Sequence, residues 1–170
     1  MFRFVSRAFA LVLACFAVAH AARAHEYKIG DLVINHPWSR ATPGGAKVAG
    51  GFMTITNSGT SADRLVSASL EIARTVEIHE MAMNGNVMTM RALEKGLEIK
   101  PGETVTLKPG SFHVMFIDIA RPLKEDEKIK GELVFEKAGR IAVEFKVENR
   151  AGTGEHGAGH GSHHTPPKAP

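Results

Sequence analysis

The chain has 170 residues, with 21 Lys and Arg against 18 Asp and Glu, nine histidines, seven methionines and one cysteine. That length suits one domain with a real core. A single cysteine excludes an internal disulfide framework and any cysteine-rich metal cluster.

Residues 1–24, MFRFVSRAFALVLACFAVAHAARA, place Arg3 and Arg7 before an apolar run and then small residues ending in Ala22-Arg23-Ala24. This is the pattern of a secretory signal peptide with cleavage near Ala24, and the apolar run is too short for a stable membrane anchor. A lipid-anchored reading would use Cys15, but the apolar run continues past it through Phe16 and Val18. The segment holds three arginines and no acidic residue, so without it the 21 basic residues fall to 18, equal to the 18 acidic ones. The basic excess therefore belongs to the export signal and gives no argument for a nucleic-acid partner or an anionic membrane. The cysteine leaves as well. A soft-metal site in the exported chain has to be built from histidine and methionine. Cleavage after Ala24 would also make His25 the first residue, with a free amine and an imidazole that can chelate Cu(II) together.

The domain proper, 25–150, reads as short strands between turns: 27–35, 49–57, 63–70, 75–81, 86–93, 103–108, 111–118, 128–137 and 140–149. Ile141, Val143, Phe145 and Val147 alternate with Ala142, Glu144 and Lys146, the period of two of a half-buried strand. Turn residues recur as Pro43-Gly44-Gly45, Asn57-Ser58-Gly59, Asn84-Gly85, Pro101-Gly102 and Pro109-Gly110. The pattern predicts an all-β, antiparallel sandwich or barrel, with one helical turn near 67–74. His36 reads as a structural histidine beside Trp38. Residues 151–170 hold no bulky apolar side chain and four histidines, His156, His160, His163 and His164. The composition predicts a disordered tail.

Two stretches carry chemistry. In SFHVMFID (111–118), Phe112, Val114 and Phe116 supply an apolar face while His113 and Met115 share the other. In HEMAMNGNVMTM (79–90) four methionines and a histidine crowd into twelve residues. Asn84-Gly85 is a strong two-residue hairpin signal. With those two residues as the loop, His79 faces Met90 and Met81 faces Met88 across the strands. Val76 and Ile78 lie on the face opposite His79 and Met81. Two strands thus each separate an apolar face from a His/Met face, and bringing those faces together gathers two imidazoles and two thioethers. Thioether sulfur is a soft, neutral ligand that favours Cu(I), and imidazole suits copper in either oxidation state. Packing is the competing account: methionine is a common gap-filler, and a lone histidine is more often structural than ligating.

The spacing resembles the periplasmic copper chaperones called PCuAC, whose motif is a histidine, ten residues, a methionine, about twenty-one residues and then His-x-Met. Here ten residues separate His79 from Met90, twenty-two follow, and His113-Val114-Met115 ends the motif. The running text of 31–59, 63–68, 76–81, 107–116 and 132–147 is similar too, so the resemblance spans roughly residues 26–148. It implies a cupredoxin-like β-sandwich or Greek-key barrel, with Cu(I) held near the surface by His79, Met90, His113 and Met115. Met81 and Met88 are candidates for a secondary role, as are His25 and the tail histidines toward Cu(II). The implied activity is copper delivery for cytochrome c oxidase assembly, by a non-enzyme with no catalytic residues. The implied location is the periplasm, and the implied partners are a copper-acceptor oxidase subunit and another copper chaperone. The protein is expected to be a monomer without stable membrane insertion. Three rivals stay open at the level of sequence: an electron-transfer cupredoxin, a copper enzyme using His25 as an N-terminal chelate, and a metal-free protein-interaction module.

Overall fold

The computed structural model describes residues 26–85 and 87–149. The expected signal peptide, His25 and the expected tail with His156, His160, His163 and His164 lie outside the described residues. Eleven strands form: β1 Glu26–Ile29, β2 Leu32–Arg40, β3 Val48–Asn57, β4 Asp63–Leu70, β5 Ala73–Asn84, β6 Val87–Ala92, β7 Leu97–Ile99, β8 Thr104–Leu107, β9 His113–Ile119, β10 Lys128–Phe135 and β11 Gly139–Glu148.

The all-β reading holds, with three corrections in detail. The expected strand 27–35 is a hairpin, because Gly30 at φ +54° turns the chain and Ile29 pairs back onto Leu32. The segment Leu97–Ile99 is a strand too short to show a pattern in sequence: Leu97 and Ile99 are buried, Glu98 is exposed, and all three pair with β4. The helical turn expected near 67–74 does not form. β4 runs through Ser67, Ala68 and Ser69, which pair with Val134, Leu133 and Glu132 of β10. A ready-made partner strand outcompetes a single helical turn, whose nucleation is unfavourable.

All eleven strands belong to one sheet, in the order β6-β5-β9-β3-β2-β11-β10-β4-β7, with β1 added on β2 and β8 on β3. One seam departs from the antiparallel expectation: β11 runs parallel to β2 through Val147↔Ser39 and Glu148↔Arg40. β2 changes partners at this seam. Residues 32–35 pair with β1, residues 38–40 with β11, and the bulge between them falls at His36-Pro37, where His36 takes φ +51°. Proline lacks a ladder donor, so a bulge is where it fits inside a sheet. His36 is structural here as read from sequence, with Nε2 3.1 Å from a Glu148 carboxylate oxygen.

The sheet wraps one core, in which strands remote from one another in the order meet: Ile99 of β7, Phe116 of β9 and Phe145 of β11 are fully buried in a single cluster. Phe116 and Phe145 meet edge to face, ring centroids 5.2 Å apart. They approach the backbone at Gly51, where a Cβ would lie 2.6 Å from the tip of Phe116. This core takes the inward face of β9, Val114 and Phe116, and of β5, Ile78. The alternation of a strand then turns His113, Met115, His79 and Met81 to the other side.

Candidate metal centre

β5 and β9 are distant in the chain yet adjacent in the sheet, and their register sets His79 directly opposite His113. The two rings meet edge to face at a centroid distance of 5.6 Å, and each residue is only 8 % exposed. The pairing is enforced by the core on the reverse side, where Ile78 opposes Val114 and Val76 opposes Phe116. A slip of one residue would turn every one of these side chains to the wrong face.

The hydrogen bonds of the two rings differ in a useful way. His79 Nε2 lies 2.7 Å from a Glu77 carboxylate oxygen. A carboxylate only accepts, so Nε2 carries the proton and Nδ1 of the neutral ring keeps its lone pair. That Nδ1 is buried and has no hydrogen-bond partner. His113 Nδ1 lies 3.0 Å from the Ser111 carbonyl oxygen, which likewise only accepts, so Nε2 is the bare nitrogen there. Each imidazole is thus fixed by a partner two residues before it and left with one bare nitrogen. This is the outer-shell arrangement that orients a metal-bound histidine. A buried polar atom without a partner is otherwise a cost of roughly 1–3 kcal/mol.

The methionines lie around this pair in ranks. Met115 stands opposite Glu77, one rank to one side. On the other side the expected register of the β5–β6 hairpin is corrected: His79 faces Ala92, Met81 faces Met90 and Met83 faces Met88. The reason is the turn. Its closing pair is Asn84↔Val87, so the loop begins at Gly85, at φ +62°, rather than at Asn84. That displaces the partners by two positions, and an even shift leaves the faces unchanged. Met90 is therefore diagonal to His79 instead of opposite it, and Met81 is the thioether next to the imidazole pair on its own strand. Met90 and Met115 flank the pair from opposite sides.

Exposure separates these methionines from core filler. Met53 is buried at 2 %, whereas Met83, Met88 and Met90 are exposed at 61 %, 53 % and 47 %. Packing against the core accounts for the first and not for the others. Among the described residues, no three His, Cys, Asp or Glu side chains converge as a metal site. The side chains that share this face are imidazoles and thioethers, a donor set suited to a soft monovalent ion rather than to Mg²⁺ or Ca²⁺. The described residues contain no cysteine, so no thiolate of the kind that defines blue-copper centres is present among them. The sequence alone does not mark Glu77 and Ser111 as site residues. The available signal is their position two before each histidine, which on a strand is the same face.

A family model described as "Putative lipoprotein LpqE-like" matches residues 32–147. The chain is 29% identical over 122 residues to "Putative lipoprotein Lxx21020" of Leifsonia xyli subsp. xyli (strain CTCB07), covering 72% of each. Among solved structures it is similar to the apo PCuAC domain from PmoF1, with a TM-score of 0.64 and 31% identity, over 74% of this chain and 100% of that one. It is similar also to the copper-bound PCuAC domain from PmoF2, with a TM-score of 0.63 and 31% identity, over 74% of this chain and 99% of that one.

Proposed function

The chain belongs to the LpqE-like family, and from that premise we propose that it is an exported copper chaperone rather than an enzyme. Its cargo is Cu(I), taken by His79 Nδ1 and His113 Nε2 with thioether sulfur from Met90 and Met115, Met81 standing beside them. The observation that carries this reading is the opposed imidazole pair, each ring fixed through one nitrogen and bare at the other. The copper-bound state of the similar PCuAC domain from PmoF2 supports it.

Release follows from the same chemistry. Two neutral imidazoles and neutral thioethers hold Cu(I) without a thiolate, and an acceptor can displace the exposed sulfur of Met90 first. Delivery is then ligand exchange with no change of oxidation state. The acceptor implied by the family resemblance is a copper-binding subunit of cytochrome c oxidase. The segment 151–170 offers a Cu(II) site in His156, His160, His163 and His164. β11 leads to it, with Val147 on the same rank as Ser39, Gly51 and Val114, three strand spacings or roughly 14 Å from β9. Export with cleavage near Ala24 places this exchange in the periplasm. The relatives' description as lipoproteins makes acylation at Cys15 the rival to cleavage, which the intact mass of the exported protein decides. Among the described residues no helix is long and apolar enough to cross a membrane.

The deciding experiment is titration with Cu(I) against a chromophoric chelator. His79→Ala/His113→Ala and Met90→Leu/Met115→Leu should each lose Cu(I) to the chelator while keeping the wild-type far-ultraviolet spectrum. Unchanged Cu(I) affinity in the folded double-histidine variant would rule the site out.

A further inference from the structure

Beyond the imidazole pair, β5 parts from β9. Their last partners are His79 and His113, followed by one bond from the Met81 N–H to the Ser111 carbonyl at 3.3 Å, and from there to the turn, among the described residues, β5 pairs with β6 alone. The result is a two-stranded ribbon with two unlike faces. One carries Met81, Met83, Met88 and Met90; the other carries Ala82, Val87 and Thr89. Methionine belongs to the residue types most often buried. Leaving one in water forgoes roughly 1.5–3 kcal/mol of burial. The ribbon does so at Met83, Met88 and Met90, all on the same face. Leucine or valine would make an equally apolar surface; what methionine adds is sulfur.

We infer that this face is a second soft-cation site, in which Met83 and Met88, opposed on one rank, and Met81 on the next hold one Cu(I) or Ag(I) ion through thioether sulfur alone. The inference rests on the copper reading above and extends it outward. Directly opposed residues have Cβ atoms roughly 4.5–5.5 Å apart. Met81 and Met83 are separated by roughly 6.5–7 Å along their strand. Three unbranched, flexible side chains close those gaps onto one ion. Thioethers prefer Cu(I) and exclude hard cations, so the site selects the same cargo as the imidazole pair. Lacking nitrogen donors and lying on an exposed ribbon, it holds that cargo less tightly than the imidazole pair. The ranks Met83/Met88, Met81/Met90 and His79/His113 then run from an exposed tip to a buried pair, and an ion caught at the tip descends toward stronger ligands.

The test is a titration of the full chain, labelled with ¹³C at the methionine methyls, with Ag(I). The imidazoles of His79 and His113 and the methyl of Met115 should respond to the first equivalent, and the methyls of Met83 and Met88 to a later, weaker one. Met83→Leu/Met88→Leu, a change at exposed positions that preserves the apolar surface, should abolish the later event and leave the first untouched. That outcome also separates a metal site from a docking face for an apolar partner, which leucine would preserve. The inference is overturned if the Met83 and Met88 methyls stay still in excess Ag(I). It is equally overturned if they respond with the first equivalent and fall silent in His79→Ala/His113→Ala. Silent imidazoles beside responsive Met83 and Met88 methyls would instead sink the proposed imidazole site and leave this one standing.

Discussion

Glu77 decides which nitrogen of His79 is bare. Its carboxylate takes the proton-bearing Nε2 at 2.7 Å and so leaves Nδ1 buried with a lone pair and no partner. In Glu77→Gln the amide can rotate to offer N–H instead of oxygen, which favours the other tautomer and moves the lone pair away from the site. Loss of such an outer-shell partner costs roughly 10–100-fold in metal affinity. Glu77→Gln should therefore weaken Cu(I) binding by about that factor with little change in the urea midpoint, and the ¹⁵N shifts of His79 should report the exchanged tautomer. An affinity change without the tautomer change would mean that Glu77 acts through charge alone. His79, His113 and Met115 stand out in sequence because a period of two puts them opposite an apolar face. Glu77 does not, since a carboxylate on the outer face of a strand looks like any solvated surface residue until the fold places a ring beside it.

The strands show the same division. β11 is legible from its alternation alone: Val143, Phe145 and Val147 are buried as the pattern requires. The β5–β6 hairpin is legible in its faces and misread in its partners, because Asn84-Gly85 and a turn beginning at Gly85 are equally good chemistry and differ by one residue. β7 is illegible, three residues being too few for a period. Asp63, at the start of β4, ties two elements that sequence gives no reason to join. Its Oδ1 accepts from the Arg64 N–H at 2.7 Å and the Lys137 N–H at 3.0 Å, and its Oδ2 from the Ala138 N–H at 2.9 Å, so it clamps the turn between β10 and β11. Burial alone would push this carboxyl up. The three backbone N–H groups, with the charge of Lys137, outweigh it and hold the group below its ordinary value of 3.8. A carboxyl lowered on folding adds stability that is fully present above its unfolded value and is lost as pH falls through the folded one. Asp63→Asn puts an amide where three donors converge and should cost roughly 1–3 kcal/mol at pH 7. The deficit should begin to shrink as pH falls below the unfolded value of 3.8 and go on shrinking until pH passes the lowered folded value, where the native carboxyl is itself protonated. Urea unfolding of both proteins across that range measures it, and a deficit independent of pH would contradict the clamp.

At the scale of the molecule, an all-β fold round one core is what short alternating strands and frequent turns foretell. The parallel seam of β11 on β2 is not foretold, since it depends on which distant strands meet. The same is true of β5 on β9, and there the long-range choice has a chemical consequence. Three strands, β6, β7 and β8, intervene in the chain between His79 and His113. A polypeptide that has made only its local hairpins owns two separate histidines and no imidazole pair. In refolding from urea, protection of the His79 and His113 rings by Ag(I) should therefore follow, and never precede, recovery of Trp38 fluorescence; earlier protection would show that the pair assembles outside the sheet. The imidazole pair is in this sense a certificate of maturity: it exists only once the last remote strands have found each other, and an unfinished chain has none to present.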